Sequence, residues 1–120
     1  MFFQKKTNYY NFIKKNYRRK WNFNYLSQNP NITWEIVQQN PDKPWCYYSL
    51  SKNPNITWEI VCAHSEKPWD YYWLSRKSNI TWEIICAHPD KPWHYFGCSI
   101  NPNITWEIVE KNLDKISHPF

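Results

Sequence analysis

Along this chain, short apolar runs alternate with polar punctuation, and the whole arrangement returns every 24 residues. Asn-Pro pairs stand at Asn29-Pro30, Asn40-Pro41, Asn53-Pro54 and Asn101-Pro102. Each predicts a helix stop, because proline removes a donor and keeps its predecessor out of the α region. Between two such stops lies Thr33-Trp34-Glu35-Ile36-Val37-Gln38-Gln39, with Asn31 or Thr33 as N-cap and Glu35 in the first turn. The other segment opens Asp42-Lys43-Pro44-Trp45, which reads as an acidic cap followed by proline in the first turn, and it runs through Leu50. Each period is thus expected to hold two helices of about two turns. A second reading is a β-solenoid or leucine-rich-like coil, since Ile32, Trp34 and Ile36 also alternate with period two. About one Leu per period, almost no Gly for coil corners, and capping signals in both segments favour helices.

The repeat is close in sequence. Asn29–Val37 recurs unchanged at Asn53–Val61 and Asn101–Val109, with a near copy at Lys77–Ile85. Trp21, Trp45, Trp69 and Trp93 form one column, and Trp34, Trp58, Trp82 and Trp106 a second. These define four frames, Trp21–Pro44, Trp45–Pro68, Trp69–Pro92 and Trp93–Ile116. Helices this short are marginal alone, so each frame must be stabilised by its own copy one frame away. The expected fold class is therefore an all-α solenoid of four 24-residue helix-turn-helix repeats over residues 21–116. Residues 1–20 precede it as a basic leader, a degenerate half-repeat whose Tyr10–Tyr17 aligns with Trp34–Pro41, and residues 117–120 follow as a tail. Departures fall late in the chain. Ser117 replaces the next tryptophan, and Gly97 with Cys98 is expected to weaken the fourth frame's first helix.

The unit "DKPW…LS.NPNITWEIV" resembles the short tryptophan-rich repeats of proteins from giant, mimivirus-like viruses, and the resemblance covers residues 21–116. It implies a viral origin and a repeat scaffold, and it implies no mechanism.

Charge and composition narrow the compartment. Residues 1–20 carry seven Lys/Arg and no acid, whereas residues 21–120 carry eight basic and ten acidic residues, so +7 precedes a −2 body. The N-terminus lacks the apolar core of a secretory signal, no stretch is apolar enough to span a membrane, and four Cys without a signal point to reduced thiols. These features predict host cytoplasm or virion rather than secretion. Within the leader, Lys14, Lys15, Arg18, Arg19 and Lys20 interleave with Tyr9, Tyr10, Phe12, Tyr17 and Trp21. That mixture suits nucleic acid or another polyanion, through phosphate neutralisation and base stacking.

Motifs for chemistry are weak. Cys62-Ala63-His64 and Cys86-Ala87-His88 make a Cys2His2 count, but equivalent positions of stacked helices lie about 8–10 Å apart, too far for one zinc ion. Asn31, Asn55, Asn79 and Asn103 match a glycosylation sequon, which helix capping explains without sugar. Glu35, Glu59, Glu83 and Glu107 form a column, as do Lys43, Lys67, Lys91 and Lys115, and such regularity reads as a structural ladder rather than a catalytic cluster. No enzyme activity, metal or cofactor is expected. The expected role is a scaffold for an unidentified protein partner, with end-to-end self-association also compatible with a solenoid. Columns that change between frames are the candidates for recognition, chiefly Asn22/Cys46/Asp70/His94, Tyr25/Ser49/Trp73/Gly97 and Gln28/Lys52/Arg76/Ile100. Trp73 with Asp70, Arg76 and Lys77 is the predicted contact patch, since Trp and Arg are enriched at hot spots.

Overall fold

Thr33, Thr57, Thr81 and Thr105 each turn a side-chain oxygen onto the backbone N–H three residues on, at 3.2–3.3 Å, and each starts a helix. The computed structural model describes Asn11 and residues 21–113. From residue 21 onward the helices are α1 (Phe23–Gln28), α2 (Trp34–Gln39), α3 (Tyr47–Leu50), α4 (Trp58–Ala63), α5 (Tyr71–Arg76), α6 (Trp82–Ala87), α7 (Tyr95–Ile100) and α8 (Trp106–Lys111). Equivalent helices begin 24 residues apart, and no strand occurs among the described residues. The all-α helix-turn-helix repeat of solenoid type is thus the fold, and the β-solenoid alternative is excluded. Of the two caps considered for α2, Thr33 is the one used, with a glutamate directly after the first helical residue where the helix dipole favours it.

Three local expectations are corrected. The helices are four to six residues long, under two turns. The first helix of a frame starts later than the Asp-Lys-Pro-Trp signal suggests. Lys43 N–H bonds to Asn40 O at 3.2 Å and Trp45 N–H to Lys43 O at 2.9 Å, so this stretch is a turn and α3 begins at Tyr47. Its cap position is held by Asn22, Cys46, Asp70 and His94, and all but Cys46 accept a backbone N–H through the side chain. Finally, α7 is a full six residues despite Gly97 and Cys98. Burial of both against α5 outweighs the weak propensity of glycine.

The chain divides into two units, one ending at Trp69 and one beginning at Asp70. In the first, α1 packs on α3. Leu26, Ile32, Val37, Leu50, Ile56 and Val61 are buried, and Trp45 meets Phe23 edge-on at 5.2 Å. Trp69 closes this unit, 5.6 Å from Trp34 and 5.0 Å from Tyr47. In the second, α5 packs on α7. Leu74, Ile80, Ile85 and Cys98 are buried, and Trp93 meets Tyr71 with the same edge-on geometry at 5.2 Å.

Polar residues join the frames as firmly as the aromatics. Asn53 is fully buried, at 0% exposure, and its carboxamide nitrogen donates to Ser27 O, Asn29 O and Ile32 O at 2.9–3.0 Å. Asn101 repeats this onto Ser75 O, Lys77 O and Ile80 O at 2.9–3.0 Å. Two residues on, Asn55 donates to Pro30 O and Ile32 O, and Asn103 to Ser78 O and Ile80 O. Asn53, Asn55, Asn101 and Asn103 are therefore clamps between frames, whereas Asn40, also read as a helix stop, donates back to Ile36 O of its own helix. The serine column assists: Ser27 Oγ accepts Cys46 N–H at 2.9 Å and Ser75 Oγ accepts His94 N–H at 3.0 Å. The glutamate and lysine columns do not pair with each other among the described residues. Lys43 and Lys91 approach Asp42 and Asp90, and Glu107 approaches Lys111.

Candidate protein-binding surface

Asp70, Trp73, Arg76 and Lys77 all lie on α5 or its two caps. Asp70 is the N-cap, and its Oδ1 accepts Trp73 N–H at 3.1 Å. One turn on, the Arg76 guanidinium carbon sits 4.5 Å from the Trp73 ring centre and 5.5 Å from that of Tyr72, and Nη1 donates to the Tyr72 hydroxyl at 3.2 Å. A guanidinium held over two π faces loses little freedom on meeting a partner, and its other N–H groups keep their fork. Among the described residues no carboxylate lies within ion-pair distance of Arg76.

The neighbouring helix extends the patch. Tyr72 stacks with Phe96 at 6.3 Å and 17°, and meets the His94 ring edge-on at 5.0 Å. Phe96 is 61% exposed, and Ile100, four residues on at the end of α7, is exposed as well. His94 belongs to a changing column that the sequence singles out, but Tyr72 and Phe96 were missed there, although Tyr48, Tyr72 and Phe96 form an aromatic column in three frames. In unit one, Tyr48 carries Lys52 over its ring at 4.7 Å, so the aromatic–cation pairing occurs in both units.

Lys77 stands apart in role. It is the C-cap of α5 and occupies the column of Asn29 and of the clamps Asn53 and Asn101. Burial pushes its ammonium down to about 8. The premise that changing columns are free of packing duty is also corrected. Ser49 and Gly97, in the column of Trp73, are buried, and a Cβ on Gly97 would lie 2.7 Å from Tyr72 O. At Gly97 the column faces α5, so size there is limited by packing.

The cysteines differ by environment. Cys62 and Cys86 are exposed, while Cys98 is a small buried hydrophobe whose thiol burial pushes up. At Cys46 burial acts in the same sense, but hydrogen bonds with Ser49 and Tyr48 and the charge of Lys52 prevail and lower its value. Among the described residues no three His, Cys, Asp or Glu side chains converge as a metal site would require. His64 instead packs on Trp34 at 4.9 Å. Unit one also has a cleft of about 390 Å³ walled by Trp34, Trp45 and Tyr47, with Lys43, Glu66 and Lys67 among its lining residues. The tryptophan walls are rings already committed to packing. Lys14, Lys15, Arg18, Arg19 and Lys20 lie outside the described residues.

No family model, curated protein or solved structure matches the chain.

Proposed function

We propose that this chain is a non-enzymatic repeat scaffold, of the giant-virus kind its sequence resembles, that binds another protein through the α5–α7 surface. The observation that carries the reading is the Arg76 guanidinium held over Trp73 and bonded to Tyr72, with exposed Phe96 stacked on Tyr72. Interfaces are enriched in aromatic residues and arginine at their centres, and a few such residues carry most of the affinity. The non-enzymatic reading draws on the jobs the titratable side chains already hold: Asp70 and His94 cap helices. The scaffold is placed in the host cytoplasm or the virion on the sequence features alone. A second reading, polyanion binding through residues 1–20, rests on the seven basic residues concentrated there.

The test is affinity capture from host cells followed by quantitative binding to the partner recovered. Trp73→Ser and Arg76→Ala should each weaken binding about tenfold or more, as hot-spot truncations do. Glu83→Gln, on exposed α6 surface, should leave it unchanged. Equal binding by Trp73→Ser, Arg76→Ala and the parent at matched stability defeats the assignment. If deletion of residues 1–20 alone abolishes retention on a polyanion column, the second reading prevails.

A further inference from the structure

Among the described residues the lysine column pairs with no glutamate, yet in unit one two of its members share a cleft. Lys43 and Lys67, 24 residues apart, both line the cavity of about 390 Å³ that is walled by Trp34, Trp45 and Tyr47. All its lining residues fall between Trp34 and Lys67, so unit one alone builds it. Its volume lies in the lower part of the range for small-molecule sites, about 300–1,000 Å³.

The walls are fixed before any ligand arrives. Trp45 donates its indole N–H to Asn40 O at 2.9 Å and meets Phe23 edge-on. Trp34 lies 4.9 Å from His64 and 5.6 Å from Trp69, and Tyr47 meets Trp69 at 5.0 Å. Each ring is packed on its neighbours, yet all three are only half-buried, and surface left by that packing lines the cleft. Rings held in this way lose little freedom on binding, so the aromatic surface is preorganised.

Charge decides what kind of ring suits these walls. Glu66 is the one carboxylate among the lining residues, and its Oε1 lies 4.0 Å from His64 Nδ1. Lys43 is 3.7 Å from Asp42, its chain neighbour, which does not line the cleft. Among the described residues no carboxylate lies within ion-pair distance of Lys67. Two ammonium groups against one carboxylate leave the cleft positive. Aromatic walls beside a carboxylate would also suit a quaternary ammonium, but the two lysines oppose a cation there. A phosphate monoester carries about −1.5 to −2 at pH 7 and so matches two lysines, where a carboxylate matches one. Burial and the Glu66 charge both push the Tyr47 phenol up, which keeps it a neutral O–H donor.

We propose that this cleft binds a nucleotide, with the base against Trp34, Trp45 and Tyr47 and the phosphate met by Lys43 and Lys67. Stacking of a base on aromatic side chains and neutralisation of its phosphate by lysine are the two interactions such a ligand needs. A base alone leaves the lysines unused, and a phosphate alone leaves the rings unused. The residues differ from those of the α5–α7 surface and from those of the leader, so the assignment stands or falls apart from both readings above.

Equilibrium dialysis of the full chain against labelled adenosine monophosphate tests this. The parent should bind with a Kd below about 1 mM. Adenosine, which lacks the phosphate, and phenyl phosphate, which lacks the base, should each bind at least about fivefold more weakly. Lys67→Gln, at an exposed position, should weaken binding about fivefold or more with an unchanged melting curve. Lys111→Gln makes the same change in net charge at an exposed position of α8 and should bind like the parent. Displacement of the monophosphate by a single-stranded oligoadenylate assigns the site to a nucleotide within a strand, and no displacement assigns it to a free nucleotide. Parent binding weaker than about 1 mM, or phenyl phosphate bound as tightly as the nucleotide, overturns the proposal. So does equal binding by Lys67→Gln and the parent, or a loss in Lys111→Gln equal to that in Lys67→Gln.

Discussion

Asn53→Ala removes one clamp and leaves the tryptophans untouched. The Asn53 carboxamide carries two protons, shared among Ser27 O, Asn29 O and Ile32 O, and its Oδ1 accepts Asn55 N–H at 2.8 Å. Three hydrogen bonds' worth of interaction is therefore lost, at about 0.5–1.5 kcal/mol each, and Ser27 O loses its clamp donor, whereas Asn29 O keeps Ile32 N–H and Ile32 O keeps the Asn55 carboxamide. The expected loss is about 3 kcal/mol, a large share of the stability usual for a domain of this size. Asn24→Ala, on the exposed side of α1, should stay within about 0.5 kcal/mol. Asn53→Asp sharpens the reasoning. It preserves shape and the oxygen that meets Asn55, but turns an acceptor toward three carbonyls. Its carboxyl should be raised in the folded state, so the variant is stabler at low pH and loses stability as pH rises. At pH 7 it should be worse than Asn53→Ala, and the gap should narrow or reverse near pH 4.5. Urea unfolding followed by far-UV circular dichroism measures all four proteins at both pH values. A loss under about 1 kcal/mol for Asn53→Ala, or Asn53→Asp no worse than alanine at pH 7, refutes the clamp.

Gly97→Ala should destabilise by about 1–3 kcal/mol in urea unfolding, although alanine is the better helix former, because the new Cβ meets Tyr72 O at 2.7 Å. Trp58→Ala, at a buried column position, should cost about 3–5 kcal/mol by the same measurement, whereas Trp106→Ala at 70% exposure should cost under about 1 kcal/mol. Lys77→Met should raise stability at pH 7. The full drop of the Lys77 ammonium from 10.5 to about 8 corresponds to roughly 3 kcal/mol, which partial solvent access reduces to about 1–2 kcal/mol. Between these values the unfolded parent binds more protons than the folded one. Parent stability therefore rises with pH from about 8 to 10.5, and the advantage of Lys77→Met should vanish over that window. A pH-independent difference in melting temperature between the two proteins excludes the buried charge as its cause.

Much of the local structure is legible in the sequence because its causes are local. A threonine side chain meets an N–H three residues on, so "NITWE" carries both the cap and the first turn of α2, α4, α6 and α8. Repetition of Trp45 and Trp93 against Phe23 and Tyr71 likewise follows from the 24-residue spacing once stacking is required. The candidate patch was half legible: Trp73 and Arg76 are neighbours one turn apart on α5, but Tyr72 joins Phe96 and His94 only through the α5–α7 approach.

Tertiary structure decided what each punctuating residue does. Asn53 and Asn101 look like helix stops because a helix ends three residues before the first and directly before the second, yet their partners lie 21–26 residues back. Those carbonyls gather at the turn of one frame, where Asn29 O and Lys77 O also accept Ile32 and Ile80 N–H, and they become a site only when the next frame is laid alongside. Likewise, Gly97 reads as a weak helix residue until Tyr72 O is found 2.7 Å from where its Cβ would stand. Capping and turn chemistry are settled within four or five residues of chain. Which side of a six-residue helix faces its neighbour depends on the angle at which frames stack, and side chains distant in sequence set that angle together.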